Sequence, residues 1–131
     1  MDRERREFVK AAAWAGAGVA LANVALSAPK VRSMRILILG GTAFLGPQIV
    51  EAAQARGHVL TLFNRGKTNP GLFPDIEKLH GDRDGDLQSL EGRSWDAVVD
   101  TSGFVPRVVA MSASLLAPKV KQYVFVSTIS V

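Results

Sequence analysis

From residue 35 onward, two patterns of apolar and polar positions alternate along the chain. Short apolar runs rich in β-branched residues are followed by segments whose apolar residues recur at helical spacing. This alternation is typical of an α/β fold with a parallel sheet. Five of the apolar runs have the length and composition of strands, and we predict strands at Arg35–Leu39, His58–Phe63, Glu77–His80, Trp95–Asp100 and Gln122–Ser127.

Three segments between these strands carry helix signals. Apolar residues from Leu45 to Arg56 follow helical spacing, and a proline in the first turn is tolerated because its missing N–H is not needed there. A short helical turn is predicted from Leu87 to Leu90, with Asp86 as its cap, and a longer helix from Val108 to Leu116. Right-handed crossovers of this kind place the loops after the strands along one edge of the sheet, where open α/β folds bind ligands.

The first 33 residues have the layout of an export signal, with a charged start followed by an uncharged stretch. The start contains Arg5-Arg6-Glu7-Phe8-Val9-Lys10, which resembles the twin-arginine export motif. Of the 18 residues from Ala11 to Ala28, eleven are Ala or Gly. Such weak hydrophobicity is typical of twin-arginine leaders and not of membrane-spanning helices.

We therefore predict a leader at residues 1–33 that engages the twin-arginine export machinery, and a globular region at 34–131. The expected location is the periplasm. An amphipathic or disordered N-terminal arm is the first alternative. A true start at Met34 is the second, and it would leave the protein in the cytoplasm.

The charge of the chain lies in this leader. The 131 residues include 16 Lys and Arg against 12 Asp and Glu, and residues 1–35 hold seven basic and three acidic side chains. Residues 36–131 hold nine of each, so the globular region has no excess of positive charge to attract phosphates, and no nucleic-acid partner is expected. The chain has no cysteine, which excludes disulfides, thiolate nucleophiles and zinc–thiolate sites.

A glycine-rich loop follows the first predicted strand and opens the first predicted helix. Its sequence is Gly40-Gly41-Thr42-Ala43-Phe44-Leu45-Gly46. Gly40 permits the tight turn and Gly46 lets helix and strand approach closely, so that backbone N–H groups and the positive end of the helix face a pyrophosphate. Strand, loop, helix and second strand all have the required spacing, and this predicts a dinucleotide-binding loop made of Gly40, Thr42, Ala43, Phe44, Leu45 and Gly46.

With this loop, the chain from Met34 to Val131 resembles the short-chain dehydrogenase/reductase superfamily, specifically its extended and atypical NAD-dependent epimerase/dehydratase branch. The branch has a glycine where this chain has Ala43. The resemblance implies a Rossmann-like, doubly wound parallel sheet that is truncated after about the fifth strand, because a complete domain of this kind with its substrate region needs more residues. We expect the chain to be an N-terminal fragment or the product of a truncated reading frame.

The resemblance also places the adenosine half of the cofactor. In the family the end of the second strand grips the ribose, often through an acid, whereas this chain has Asn64, Arg65 and Lys67. Attraction of a 2′-phosphate to the two cations, Arg65 and Lys67, predicts NADP in preference to NAD, with a solvated surface turn as the alternative. By resemblance, Asp82 accepts a hydrogen bond from the adenine amine, with Arg83 alongside. The carboxylates of this loop lack the other ligands of a calcium loop, so no metal site is predicted.

The nicotinamide side follows the last two strands. Thr101 and Ser102 lie where family members pass beside the nicotinamide ribose, and they either donate hydrogen bonds to the cofactor or only stabilise the turn. The resemblance gives Thr128 the catalytic role of bonding the reacting oxygen of the substrate. The tyrosine acid/base and the lysine four residues later are absent, since the only tyrosine, Tyr123, is followed at that distance by Ser127.

These features predict the NAD(P)-binding portion of an epimerase, dehydratase or reductase that acts on a sugar-nucleotide-like or other hydroxyl-bearing small molecule. The alternatives are a non-catalytic dinucleotide-binding module and an atypical RNA-binding relative on the same fold. A sheet that stops after the fifth strand exposes an unpaired edge, so pairing with another copy is a further expectation.

Overall fold

A computed structural model describes residues 30–127 of the chain. Most of the predicted leader, residues 1–29, and the candidate catalytic residue Thr128 lie outside the described residues. The elements follow in the order β1 (Arg35–Leu39), α1 (Gly46–Ala55), β2 (Val59–Asn64), β3 (Glu77–His80), a 3-10 turn (Gln88–Leu90), β4 (Ala97–Asp100), α2 (Pro106–Leu116), a second 3-10 turn (Ala117–Lys119) and β5 (Gln122–Phe125).

The five strands form one parallel sheet in the order β3-β2-β1-β4-β5. The chain moves outward from β1 in one direction through β2 and β3, then returns to the other side of β1 for β4 and β5. This reversal next to β1 is the topology of a Rossmann-like, doubly wound sheet. The predicted fold class is therefore confirmed.

Both faces of the sheet are covered, which explains why β1 is apolar at every position after Arg35. Leu37 and Leu39 point to one side of β1, where they pack with a buried group comprising Phe63, Leu90, Trp95, Val98 and Leu116. Ile36 and Ile38 point to the other side and pack with Val50, Leu60, Leu62 and Ile76. The core thus lies on both sides of the central strand that precedes the glycine-rich loop.

Several details differ from the sequence prediction, and the last strand ends at Phe125 rather than at Ser127. The fourth strand begins at Ala97, because Trp95 instead buries its ring in the core and its indole N–H donates to Thr61 Oγ1 at 3.3 Å. The prediction that Asp86 caps the following turn is wrong. Asp86 instead forms two backbone hydrogen bonds with Asp82, at 2.8 and 3.0 Å, and the turn begins after Leu87.

No helix within residues 30–127 combines the length and the apolar character needed to cross a membrane.

Candidate functional site

The candidate site is the crevice between two loops that leave neighbouring strands. The loop after β1, residues 40–45, leads into α1, and the loop after β4, residues 101–105, leads into α2. Because β1 and β4 are adjacent and parallel, the two loops start side by side at the carboxyl edge of the sheet. This is the point at which the strand order reverses, where open α/β sheets bind their ligands.

Glycines allow the loop after β1 to pack closely against its surroundings. Gly40 has a φ of +106°, its N–H donates to the Phe63 carbonyl at 2.9 Å, and a Cβ there would lie 2.5 Å from Thr101 Oγ1. A Cβ on Gly46 would lie 2.7 Å from the backbone of Gly41. Any side chain at these two positions would push the loop away from the helix or the neighbouring strand, which is the close approach that the sequence predicted.

The middle of this loop forms a tight turn at the start of α1. The Gly46 N–H donates to the Ala43 carbonyl at 3.0 Å, and Phe44 between them has a φ of +60° and is 95% exposed. Among the described residues no side chain caps α1, whose N-cap is Leu45. In the first turn of α1, Pro47 has no N–H and the Ile49 N–H donates to the Leu45 carbonyl, so the Gln48 N–H is the one left for an anionic group.

Two asparagines fix the glycine-rich loop from outside. Asn64 Nδ2 donates to the Gly40 carbonyl at 3.4 Å, and Asn64 Oδ1 accepts from the Gly66 N–H at 2.8 Å. Asn69 Nδ2 donates to the carbonyl of the buried Thr42 at 2.9 Å. The sequence pointed to Asn64 as a ribose contact, but its amide is occupied by backbone groups. Asn69 escaped sequence reasoning because no motif marks it.

The loop between β3 and the first 3-10 turn divides its charged residues between two directions. Asp82 is exposed, and its Oδ1 accepts the Asp84 N–H at 2.9 Å. Arg83 points inward, where Nη1 and Nη2 donate to the two carboxylate oxygens of Asp100 at 2.6 and 2.7 Å. The buried Asp100 carboxylate thus draws the Arg83 guanidinium away from Asp82, and the predicted place of both residues at the adenine stays a prediction.

Asp100 is the centre of a buried polar cluster, which we call the Asp100 cluster: Arg83, Asp100, Ser102, Ser112 and Tyr123. The Asp100 carboxylate is fully buried and accepts from Arg83, from the Tyr123 hydroxyl at 2.8 Å and from the Ser102 N–H at 3.2 Å. Arg83 Nη2 also donates to Ser112 Oγ at 2.6 Å. Sequence reasoning missed this cluster, although an aspartate closing an apolar strand was a signal that could have suggested it.

Tyr123 serves the cluster as a hydrogen-bond donor. The pKa of its phenol is raised to about 12, chiefly by burial and also by the hydrogen bond to Asp100 and the charge of that carboxylate, against the opposing effects of Ser112 and Arg83. A tyrosine that acts as a base near neutral pH needs a lowered pKa. Near neutral pH the Tyr123 phenol is therefore protonated and donates to Asp100.

The two hydroxyls after β4 are directed to β1. Thr101 Oγ1 donates to the Leu39 carbonyl at 2.9 Å, and Ser102 Oγ donates to the same carbonyl at 3.2 Å. Of the two roles that the sequence allowed for Thr101 and Ser102, the structure thus shows the stabilised turn. Cofactor contacts for the candidate residues of both loops remain predictions. Residues 30–127 contain no group of three or more His, Cys, Asp or Glu side chains that could hold a metal ion.

No family model matches this chain. A curated relative, the chloroplast stem-loop binding protein of 41 kDa b from Arabidopsis thaliana, is 35% identical over 113 residues, which cover 74% of this chain and 30% of the relative.

Two solved structures resemble the chain in fold. The enzyme WbmG from Bordetella bronchiseptica in complex with NAD has a TM-score of 0.55 and 22% identity, over 76% of this chain and 39% of WbmG; WbmG is also known in complex with NAD and UDP. A UDP-galactose 4-epimerase has a TM-score of 0.57 and 19% identity, over 72% of this chain and 38% of the epimerase. These likenesses show a shared fold. The chain spans about a third of the length of the proteins it matches.

Proposed function

We propose that this chain is the dinucleotide-binding portion of an epimerase, dehydratase or reductase of the short-chain dehydrogenase/reductase superfamily. The observation that carries the proposal is the glycine-rich loop, which packs without side chains at Gly40 and Gly46 between β1 and the start of α1. A Cβ at either position would fill the space that lets the loop approach the helix. The NAD bound by WbmG, which has the same fold, supports this choice of cofactor class.

In this proposal, different segments of the chain hold different parts of the cofactor. The backbone N–H groups between Gly40 and Gly46, together with the Gln48 N–H in the first turn of α1, hold the pyrophosphate. The exposed Asp82 lies on the loop that would face the adenine, and the loop that starts at Thr101 lies beside the nicotinamide ribose. When bound, the nicotinamide supplies hydride transfer, and this chain binds and orients it. Thr128 hydrogen-bonds the reacting oxygen of the substrate in this proposal.

The experiment is a calorimetric titration of the 131-residue chain with NAD, NADP and ADP, with circular dichroism to establish that the chain is folded. Binding of NAD or NADP, and weaker binding of ADP, is the expected result. A folded chain that binds none of the three would overturn the proposal.

Preference for NADP over NAD is a finer part of the proposal. Arg65 and Lys67 are exposed beside the end of β2, and Asn64 is held by Gly40 and Gly66, so the two cations are the groups left to attract a 2′-phosphate. Arg65→Ala should weaken NADP binding about tenfold, within the range of a charged hydrogen bond, and leave NAD binding unchanged. The matched control is Arg56→Ala, an exposed arginine at the far end of α1. Equal loss for both cofactors would assign Arg65 to a shared phosphate or to folding.

The substrate in this proposal is a sugar nucleotide or a similar hydroxyl-bearing small molecule. The UDP bound by WbmG supports this class. Saturation-transfer NMR with UDP-sugars in the presence of the cofactor tests it, and an affinity for UDP-sugars no higher than that for free UDP would show that the sugar contributes nothing.

A second candidate function is binding of a nucleic-acid stem-loop, which the 35% identity to the Arabidopsis stem-loop binding protein favours. The balance of nine basic and nine acidic side chains in residues 36–131 opposes it. A mobility-shift assay with an RNA stem-loop at physiological salt distinguishes the two functions. A shift that NAD does not compete away would favour the second candidate.

Export and self-association complete the proposal. Replacing Arg5 and Arg6 with lysine should retain a fused reporter in the cytoplasm, and a reporter that still reaches the periplasm would exclude a twin-arginine leader.

Sedimentation of the purified chain tests self-association, for which the exposed Val124 and Phe125 of β5 are the candidate contact.

A further inference from the structure

Arg83 joins the two loops that would hold opposite halves of a dinucleotide. It lies on the loop after β3, on the adenine side, and its guanidinium forms a bidentate ion pair with Asp100 at the end of β4, on the nicotinamide side. Its Nη1 also lies 3.4 Å from Ser102 Oγ, and Ser102 in turn donates to the Leu39 carbonyl of β1. One side chain thus connects three segments that border the crevice.

The geometry leaves Arg83 little opportunity to touch a ligand. Only 11% of its side chain is exposed, and Asp100 has no exposed surface. Both Nη atoms already donate to Asp100, and Nη2 donates in addition to the buried Ser112 of α2. The planar fork of an arginine suits such a bidentate pair, and a lysine ammonium cannot reproduce it.

The loop after β4 packs directly against this guanidinium. A Cβ on Gly103 would lie 2.5 Å from Val109, 2.7 Å from Phe125 and 3.4 Å from Arg83 Nη1. The absence of a side chain at Gly103 lets the loop settle between Arg83, α2 and β5. Movement of Arg83 would therefore release the loop at residues 101–105 as well as its own.

A second, exposed ion pair ties the same adenine-side loop to α2. Arg107 donates to both carboxylate oxygens of Asp84 at 2.8 and 3.0 Å. This hydrogen bond and the charge of Arg107 lower the pKa of Asp84. Because both side chains are exposed, solvent screens this pair, and the buried pair of Arg83 and Asp100 is the stronger connection.

We propose that Arg83 is a positioning residue that holds the adenine-side and nicotinamide-side loops at the separation a whole dinucleotide requires, and that it does not itself contact the cofactor. The inference rests on the proposed dinucleotide-binding function. It predicts that loss of Arg83 affects ligands that span both loops more than ligands that occupy the adenine side alone.

The test compares NAD with ADP, because ADP lacks the nicotinamide riboside. Arg83→Gln should weaken NAD binding about tenfold or more and ADP binding less than about threefold. NAD loses more because it must contact both loops, and ordering two loops that are no longer held together lowers the affinity. Equal losses for NAD and ADP would mean direct contact with the adenosine half. No loss for either would mean that Arg83 serves stability alone. Either result overturns the proposal.

Two further variants guard against loss of the fold. Arg83→Lys keeps a buried cation beside Asp100 but cannot make the fork, so it should recover most of the melting temperature while NAD binding stays weakened relative to ADP. Arg93→Gln is the matched control, because Arg93 pairs with Glu77 at the opposite end of β3 and should change neither affinity. Full recovery of NAD binding in Arg83→Lys would contradict the role of the fork.

A readout without ligand separates this proposal from the proposed function. Amide hydrogen exchange of the free chain should quicken in Arg83→Gln at both residues 82–86 and 101–105, with the amides of β1 unchanged. Faster exchange at 82–86 alone would overturn the connection between the loops. If the wild-type chain bound neither NAD nor ADP, the proposed function would fail, and the exchange measurement would still decide whether Arg83 couples the two loops.

Discussion

The two loops at the carboxyl edge of the sheet are held in place by different kinds of interaction. The loop after β1 is shaped by glycine backbone, a tight turn and hydrogen bonds to its own carbonyls from Asn64 and Asn69. The loop after β4 is held by a buried ion pair between Arg83 and Asp100, and by hydroxyls that reach the last residue of β1. One side of the crevice is therefore fixed by the shape of the backbone, and the other by charge.

This difference determines how each side responds to substitution. A backbone-shaped loop fails when a side chain is added, because there is no room for it. A charge-held loop fails when a side chain is removed, because the partner remains buried without compensation. The following substitutions test this distinction, beginning with the largest expected effect.

Removing the charge of Asp100 should be the most damaging change. Asp100→Asn leaves Arg83 as an uncompensated buried cation, and we expect the free energy of unfolding to fall by about 3–5 kcal/mol in urea denaturation followed by circular dichroism. The matched control is Asp84→Asn, which breaks the exposed pair with Arg107 and should have little effect. Equal losses in the two variants would show that the buried pair of Arg83 and Asp100 contributes no more to the free energy of unfolding than the exposed pair.

Adding one carbon to the glycine-rich loop should have the next largest effect. In Gly46→Ala the new Cβ would lie 2.7 Å from the Gly41 backbone, so we expect destabilisation of about 1–3 kcal/mol and loss of NAD binding in a calorimetric titration. Gly71→Ala is the control, since a Cβ there meets nothing within 4 Å. Unchanged NAD binding in Gly46→Ala would remove the loop from the proposed site.

The hydroxyl of Thr101 connects the two sides, and its removal should cost less. Thr101→Val keeps the shape of the side chain and deletes the hydrogen bond to the Leu39 carbonyl, so unfolding should become easier by about 0.5–1.5 kcal/mol. If the hydroxyl serves only the turn, NAD affinity of the folded variant should change less than about threefold. A larger loss of affinity without loss of stability would assign Thr101 to the cofactor.

The smallest effect concerns pH. Tyr123 is the only tyrosine of the chain, so its phenolate absorbance reports one group, and the midpoint should lie near its folded pKa of about 12 against an ordinary 10.0. Because the folded pKa is raised, the stabilising contribution of the protonated phenol is fully present below pH 10 and is lost as the pH rises toward 12. A midpoint near 10 in the folded chain would contradict the buried contact with Asp100.

The fold and the first half of the site could be predicted from the sequence because their signals are local. The short apolar runs and the helical period each span a few residues, the positive φ of Gly40 favours glycine, and the Gly41 backbone leaves no room for a Cβ at Gly46. A glycine in such a position is therefore visible in the sequence itself. The parallel sheet and the loop after β1 were predicted with nearly the observed boundaries.

Only the tertiary structure decided the other half. The partners of Arg83, namely Asp100, Ser102 and Ser112, lie 17 to 29 residues further along the chain, and no periodicity relates them. The partner of the Arg83 guanidinium depends on which of two carboxylates lies within its reach and away from water, the exposed Asp82 or the buried Asp100. Burial strengthens the interaction with Asp100 and leaves Asp82 solvated. That choice exists only once β4 has paired with β1 and brought Asp100 beneath the loop.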